Sequence, residues 1–165
     1  MRTKLQNFNA DFTCNNCGRH VSACTIVSGV VHRNHCPNCL HSRHVDLFEA
    51  GDRLCACKSL MAPVGLTLKR SRDKYACSHG GEVMLVHCCT HCGEIVINRI
   101  AADDNPAKIL ALLKEDRRGY QQIKNICKAQ EIDLLNPGDR KPVLTRLFGE
   151  NCMEVYERNL NYQTT

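Results

Sequence analysis

The chain has 165 residues, with 13 Cys, 8 His, no Trp and an apolar share of 43% that counts the cysteines. Without them only about a third is apolar, too little for a large enzyme barrel or a doubly wound sheet. No run approaches the roughly 18 uncharged apolar residues of a membrane span. The net charge of +5 lies wholly in residues 1–101, with 12 Lys and Arg against 7 Asp and Glu, whereas residues 102–165 hold 10 of each.

The opening residues carry a little positive charge but no apolar stretch and no small-residue cleavage site, so a secretory signal is not expected. A cytoplasmic chain is kept reduced, and its cysteines then point to metal rather than to disulfides. The odd count agrees, because metal sites need no evenness. Residues 1–101 hold 11 of the 13 cysteines and every histidine. The expected organisation is a Cys/His-rich domain over 1–101 and a helical region over 102–165. The fold class expected is small, metal-stabilised α+β: a β-rich double zinc-ribbon-like domain followed by short helices.

The first ligand set is Cys14 and Cys17, followed by Cys36 and Cys39. Zinc takes four thiolate or imidazole ligands in a tetrahedron, and two cysteines three apart can aim both sulfurs at one ion across a tight turn. Gly18 permits the left-handed backbone such a turn needs, and Pro37 stiffens the second one. Between them Val21, Thr25, Ile26, Val27, Val30 and Val31 read as a β-hairpin with Ser28-Gly29 at its turn. Covalent haem would need His after the second Cys, where Gly18, Leu40 and Gly93 stand instead. A thioredoxin-like pair would need a βαβ context. Thiolates alone also suit an iron–sulfur cluster, but structural zinc is the preferred reading.

Farther along, Cys55, Cys57, Cys77, His79, His87, Cys88, Cys89, His91 and Cys92 make a second constellation. Cys89 and Cys92 repeat the first knuckle between the apolar runs Val83–Val86 and Ile95–Ile97, which gives a strand, a knuckle and a strand. Cys57 supplies a third ligand. For the fourth we take His87 first, because residues two apart on a strand share a side, and His44 second. Cys55 and Cys77 remain as further thiols, with a small buried hydrophobe as the plainer role. Two zinc ions are expected.

Lys69, Arg70, Arg72 and Lys74 form the densest basic stretch, between the runs Val64–Leu68 and Val83–Val86, and read as a hairpin tip. Next, Asp103, Asp104, Asn105 and Pro106 look like a helix start: Asp104 or Asn105 caps, and Pro106 fits the first turn. Ile109, Leu110, Leu112 and Leu113 continue that helix as an apolar stripe. Further helices are expected over Tyr120 to about Gln130, around Pro142–Phe148 and from Asn151 to Leu160, with a turn at Asn136–Asp139. Two short helices across a tight turn resemble a helix-turn-helix only weakly, in a half with no net charge.

The run Arg33-Asn34-His35-Cys36-Pro37, flanked by His32 and by Asn38-Cys39-Leu40, resembles the signature of the RNHCP domain family of small bacterial proteins. Upstream, Phe12 with Cys14, Cys17 and Gly18 fits the same pattern. So do Gly51-Asp52-Arg53, Cys57 with Met61 and Pro63, His87 with Cys89, Cys92 and Gly93, and Asn98-Arg99 through Asn105. The match covers about residues 11–105. It implies a bacterial, cytosolic, zinc-ribbon-like domain without an assigned reaction. Lys58-Ser59 stand where the pattern tends to have glycines, and Cys24, Cys55, Cys77 and Cys88 are extras.

The expected function is non-catalytic zinc-supported binding of nucleic acid, with structured RNA or a ribonucleoprotein as partner. Arg33, Asn34, Arg43, Arg53 and the basic stretch are the expected contacts. Sparse aromatics argue against a single-strand stacking platform. For Asn34 and His35, hydrogen bonding around the knuckle is the competing role. No catalytic triad order, phosphate-cradling loop or His-Glu-x-x-His helix is present, so an enzyme, a small-molecule substrate and a membrane partner are not expected. A protein-interaction adaptor using the helical tail and a thiol or metal sensor are the alternatives.

Overall fold

The computed structural model of the protein describes residues 10–70, 81–116 and 118–149. Its first unit is a two-stranded ribbon, β1 (Phe12–Thr13) against β2 (His20–Val21), which brackets the Cys14–Cys17 turn. The hairpin expected over Val21–Val31 is not there. Thr25–Ser28 instead form one helical turn, α1, ended by Gly29 at φ +69°. The Ser28 hydroxyl folds back to the Cys24 carbonyl at 3.0 Å and takes the Val30 amide at 3.3 Å. A local hydroxyl–backbone bond thus outweighs β-branched propensity, which is weak without a neighbouring strand.

The main sheet is antiparallel, in the order β3 (Ser42–Arg43), β4 (Leu60–Arg70), β5 (Gly81–Cys89) and β6 (Ile95–Arg99). The expected strands over Val64–Leu68, Val83–Val86 and Ile95–Ile97 therefore form. Pairing of β4 with β5 runs from Met61 opposite Cys89 to Arg70 opposite Gly81, with one irregularity between Pro63 and Gly65. A Cβ on Gly65 would come within 2.8 Å of the Leu134 side chain, so a larger residue there would push that side chain aside. Arg72 and Lys74 of the expected hairpin tip, with Cys77 and His79, lie outside the described residues.

β5 is buried on both faces, and its alternation sorts the core. Val83 and Leu85 join Leu40, Leu66, Ile109, Leu110, Val143 and Leu144 on one side. Val86 joins Ile95 and Cys127 on the other, with Ile123 packed against them. Hence α2 (Pro106–Ala111) and α4 (Arg140–Phe148) cover one face, and α3 (Tyr120–Ala129) covers its opposite. Burying one such Leu or Val side chain contributes about 1.5–3 kcal/mol. Asn105 caps α2 by accepting from the Lys108 amide, and Pro106 begins it. Pro137–Asp139 form a short 3-10 turn with a reciprocal Asn136/Asp139 cap. The helix expected from Asn151 to Leu160 is outside the described residues.

Candidate metal centres

Three stretches share one local geometry. The amides of Gly18, Leu40 and Gly93 donate to the carbonyls of Cys14, Cys36 and Cys89 at 2.9, 2.8 and 3.1 Å. The amides of those same cysteines donate to Arg19, His41 and Glu94. The residue after each second cysteine is left-handed: Gly18 at φ +70°, Leu40 at +61° and Gly93 at +76°. This tight loop presents two sulfurs on one side, and it is the physical content of the Cys-x-x-Cys spacing.

Among the described residues two groups bring four ligand atoms within 4.8 Å of one another: Cys14, Cys17, Cys36 and Cys39, and His44, Cys57, Cys89 and Cys92. In the first, Cys14 and Cys39 sulfurs lie 3.6 Å apart, as do those of Cys17 and Cys36. A tetrahedron with zinc–sulfur bonds near 2.3 Å has edges of about 3.8 Å, so these residues fit one zinc ion. In the second, Cys57 lies 3.7 Å from Cys89 and 4.0 Å from Cys92, and the Cys92 sulfur lies 3.3 Å from His44 Nδ1. That set fits a second. With four ligands each, neither leaves the open position that a catalytic zinc keeps.

The thiols of the two groups differ in how readily they ionise. The Arg19 amide draws the Cys17 thiol down to about 6, whereas burial pushes Cys36 up to about 12. Hydrogen bonds from Ser59 likewise draw Cys57 down to about 6. Sulfurs this close cannot all be thiolates unless a positive ion sits among them. The Asn38 carboxamide, 3.8 Å from the Cys17 sulfur, adds a donor around the first set.

His87 is not a ligand. It is fully buried, its Nε2–H donates to the Leu40 carbonyl at 2.7 Å, and its Nδ1 accepts from the Asn98 carboxamide at 2.9 Å. Burial depresses its pKa to about 3, which keeps the ring neutral. It does share a side with Cys89, but both of its ring nitrogens are spent on Leu40 and Asn98, and it is not among the four groups that converge. His44 supplies the fourth ligand atom that converges on the second group. Of the extra thiols, Cys55 and Cys127 are buried and Cys24 is exposed.

Arg33 is not a surface cation either. Its side chain is wholly buried, with Nη1 donating to Asp103 Oδ2 at 2.9 Å and Nη2 2.8 Å from Asp103 Oδ1. His35 Nε2 lies 2.8 Å from Asp104 Oδ2, and Asp104 also accepts from the Ala101 amide. The Pro37 carbonyl accepts from the Asn105 amide at 2.9 Å. The signature pentapeptide therefore latches the first knuckle onto residues 103–105. Asp103 and Asp104, read from the sequence as helix-start residues, are the partners of that latch. Asn34 is buried as well, at 8% exposure.

The remaining expected contacts divide. Arg43 is exposed, and Arg53 is half-buried with Asp46 at 3.5 Å. Lys69 is exposed at the end of β4, and Arg70 closes that strand. Lys58, missed from the sequence, donates to the Arg53 carbonyl at 3.0 Å, while Arg43 Nε donates to the Lys58 carbonyl at 3.1 Å. No helix among the described residues is long and apolar enough to cross a membrane. In comparison with known proteins, the model of the RNHCP domain matches residues 9–110. No curated protein and no solved structure matches.

Proposed function

The chain belongs to the RNHCP domain family, and from that membership and its two four-ligand metal sites we propose a non-catalytic module that binds structured RNA, free or within a ribonucleoprotein. The observation that carries this reading is the chain of cations Arg43, Lys58 and Arg53, tied to one another through their carbonyls. Arg43 adjoins the ligand His44, and Lys58 adjoins the ligand Cys57, so zinc fixes both. Neither has a carboxylate within ion-pair distance among the described residues. Lys58 stands at φ +53° and Arg53 at +56°, a left-handed backbone that costs an L-residue about 1 kcal/mol. A lysine kept there in place of glycine makes sense if its charge is used. Of the net +5, residues 1–9 supply +2 and residues 71–80 supply +1, which adds charge within the same half.

The test is a salt titration of binding to a folded RNA. The wild type loses affinity steeply as salt rises, and Arg43→Ala lowers the log–log slope by roughly one. Lys58→Gly has opposite effects: it stabilises the fold by about 1 kcal/mol, since glycine adopts φ > 0 without strain, yet weakens RNA. No affinity at low salt, or Lys58→Gly binding as well as wild type, would remove the proposal. A second reading, a protein adaptor, is favoured by Ile26 and Phe48, 94% and 81% exposed; partners that survive nuclease treatment would select it.

A further inference from the structure

A cleft of about 240 Å³ lies beside the first knuckle, with Phe12, Asn34, His41, Arg43 and Arg53 among its lining. That is below the about 300–1,000 Å³ of sites that hold drug-sized ligands, so its occupant is a single ring system rather than a stacked pair. Asn34 is the unusual member. Its carbonyl accepts from the Ser42 hydroxyl at 3.0 Å, and the Arg33 carbonyl before it accepts from Arg53 Nη2 at 3.2 Å. Its two neighbours are locked to Asp103 and Asp104. Yet its carboxamide, on a residue 8% exposed, has no hydrogen-bond partner among the described residues. Its amide atoms are not sealed off from solvent, and Asn34 lines the cleft, so the amide is free to pair with a ligand there.

The surroundings specify what fills it. A carboxamide offers a donor and an acceptor side by side, the complement of an adenine edge. Phe12 supplies an aromatic wall. Arg43 uses Nε on the Lys58 carbonyl, which leaves its terminal amino groups for an anion. The carboxylate in the lining, Asp11, is engaged by the Ala23 amide at 2.8 Å and by His20 at 3.6 Å. We propose that this cleft takes one unpaired adenine nucleotide of an RNA, with Asn34 reading the base edge and Arg43 holding the phosphate. The assignment rests on the nucleic-acid reading above and deepens it.

The experiment follows the Asn34 side-chain amide signals of the full-length, zinc-loaded protein by NMR during titration with AMP and with ribose 5-phosphate. AMP shifts those signals saturably and binds at least about tenfold tighter than the baseless phosphate, within what a bidentate amide–base pair supplies. Asn34→Ala removes that tenfold difference while keeping two zinc ions. Equal binding of the two probes, or an unmoved Asn34 amide, overturns the proposal. If Asn34→Ala does not hold its zinc, the exposed Arg43→Ala decides: AMP weakens severalfold and adenosine does not, whereas equal loss of both overturns it. RNA binding without AMP saturation removes the cleft and leaves the broader reading. AMP saturation without RNA binding removes the broader reading and leaves a nucleotide cleft.

Discussion

His44 and His87 are both buried, but only His44 places a ring nitrogen, Nδ1, against a thiolate set. His87 spends both nitrogens on Leu40 and Asn98. The two therefore respond differently to the same truncation. His44→Ala drops bound zinc from two ions toward one after dialysis, because three thiolates without the imidazole leave the second tetrahedron open. His87→Ala keeps two ions yet destabilises the fold by about 2–4 kcal/mol, from the cavity and the Leu40 carbonyl left unpaired. Metal analysis beside denaturant melts checks this, and equal zinc loss in both variants would contradict it. The cysteine ligands were legible in the sequence because a Cys-x-x-Cys spacing is itself a geometry. His44 was only half legible, since strand alternation gives the side His87 faces and says nothing of which partners its ring nitrogens meet in the folded chain.

At the scale of elements, the segment before Cys57 has order without a strand or helix. The Asp52 carboxylate accepts the amides of Leu47, Phe48, Glu49 and Leu54 at 2.8–3.0 Å. Those bonds, that from Leu54 first, hold its carboxyl well below the ordinary carboxylate range. A depressed folded-state pKa contributes stability that is present above the unfolded value and lost as pH falls through the folded one. The stability gap between wild type and Asp52→Asn is thus constant between about pH 8 and about pH 5 and narrows only in stronger acid. Amide exchange over residues 47–54, faster in the variant at neutral pH, checks the structural side; unchanged exchange would show that these bonds do not order the loop. Among the other elements, β4, β5, β6 and α2 to α4 were legible from apolar runs and cap residues. The Val21–Val31 hairpin was misread because its β-branched residues had no strand to pair with, and a serine hydroxyl closed a helical turn instead.

For the molecule as a whole, the change of charge near residue 101 falls beside the Arg33, His35, Asp103 and Asp104 latch. The family match runs past it to residue 110. Sequence reasoning took Arg33 for a surface contact because burial is a tertiary fact: an arginine looks the same whether its counter-charge is a phosphate or an aspartate 70 residues away. Removing one partner of a buried pair costs about 3–5 kcal/mol. Arg33→Ala accordingly lowers the unfolding free energy from denaturant melts by that much while the folded protein keeps two zinc ions and the wild-type salt slope for RNA. A flattened salt slope in this variant would instead return Arg33 to the phosphate contacts.

One short stretch joins the two metal centres. Cys36 and Cys39 belong to the first and His44 to the second, with β3 in between, so a single run of nine residues must be ordered for either ion to be held. Whichever ion arrives first has already met part of the entropic cost of the other's site. Occupancy then climbs in concert rather than along two independent isotherms, and singly loaded protein stays scarce as metal becomes available.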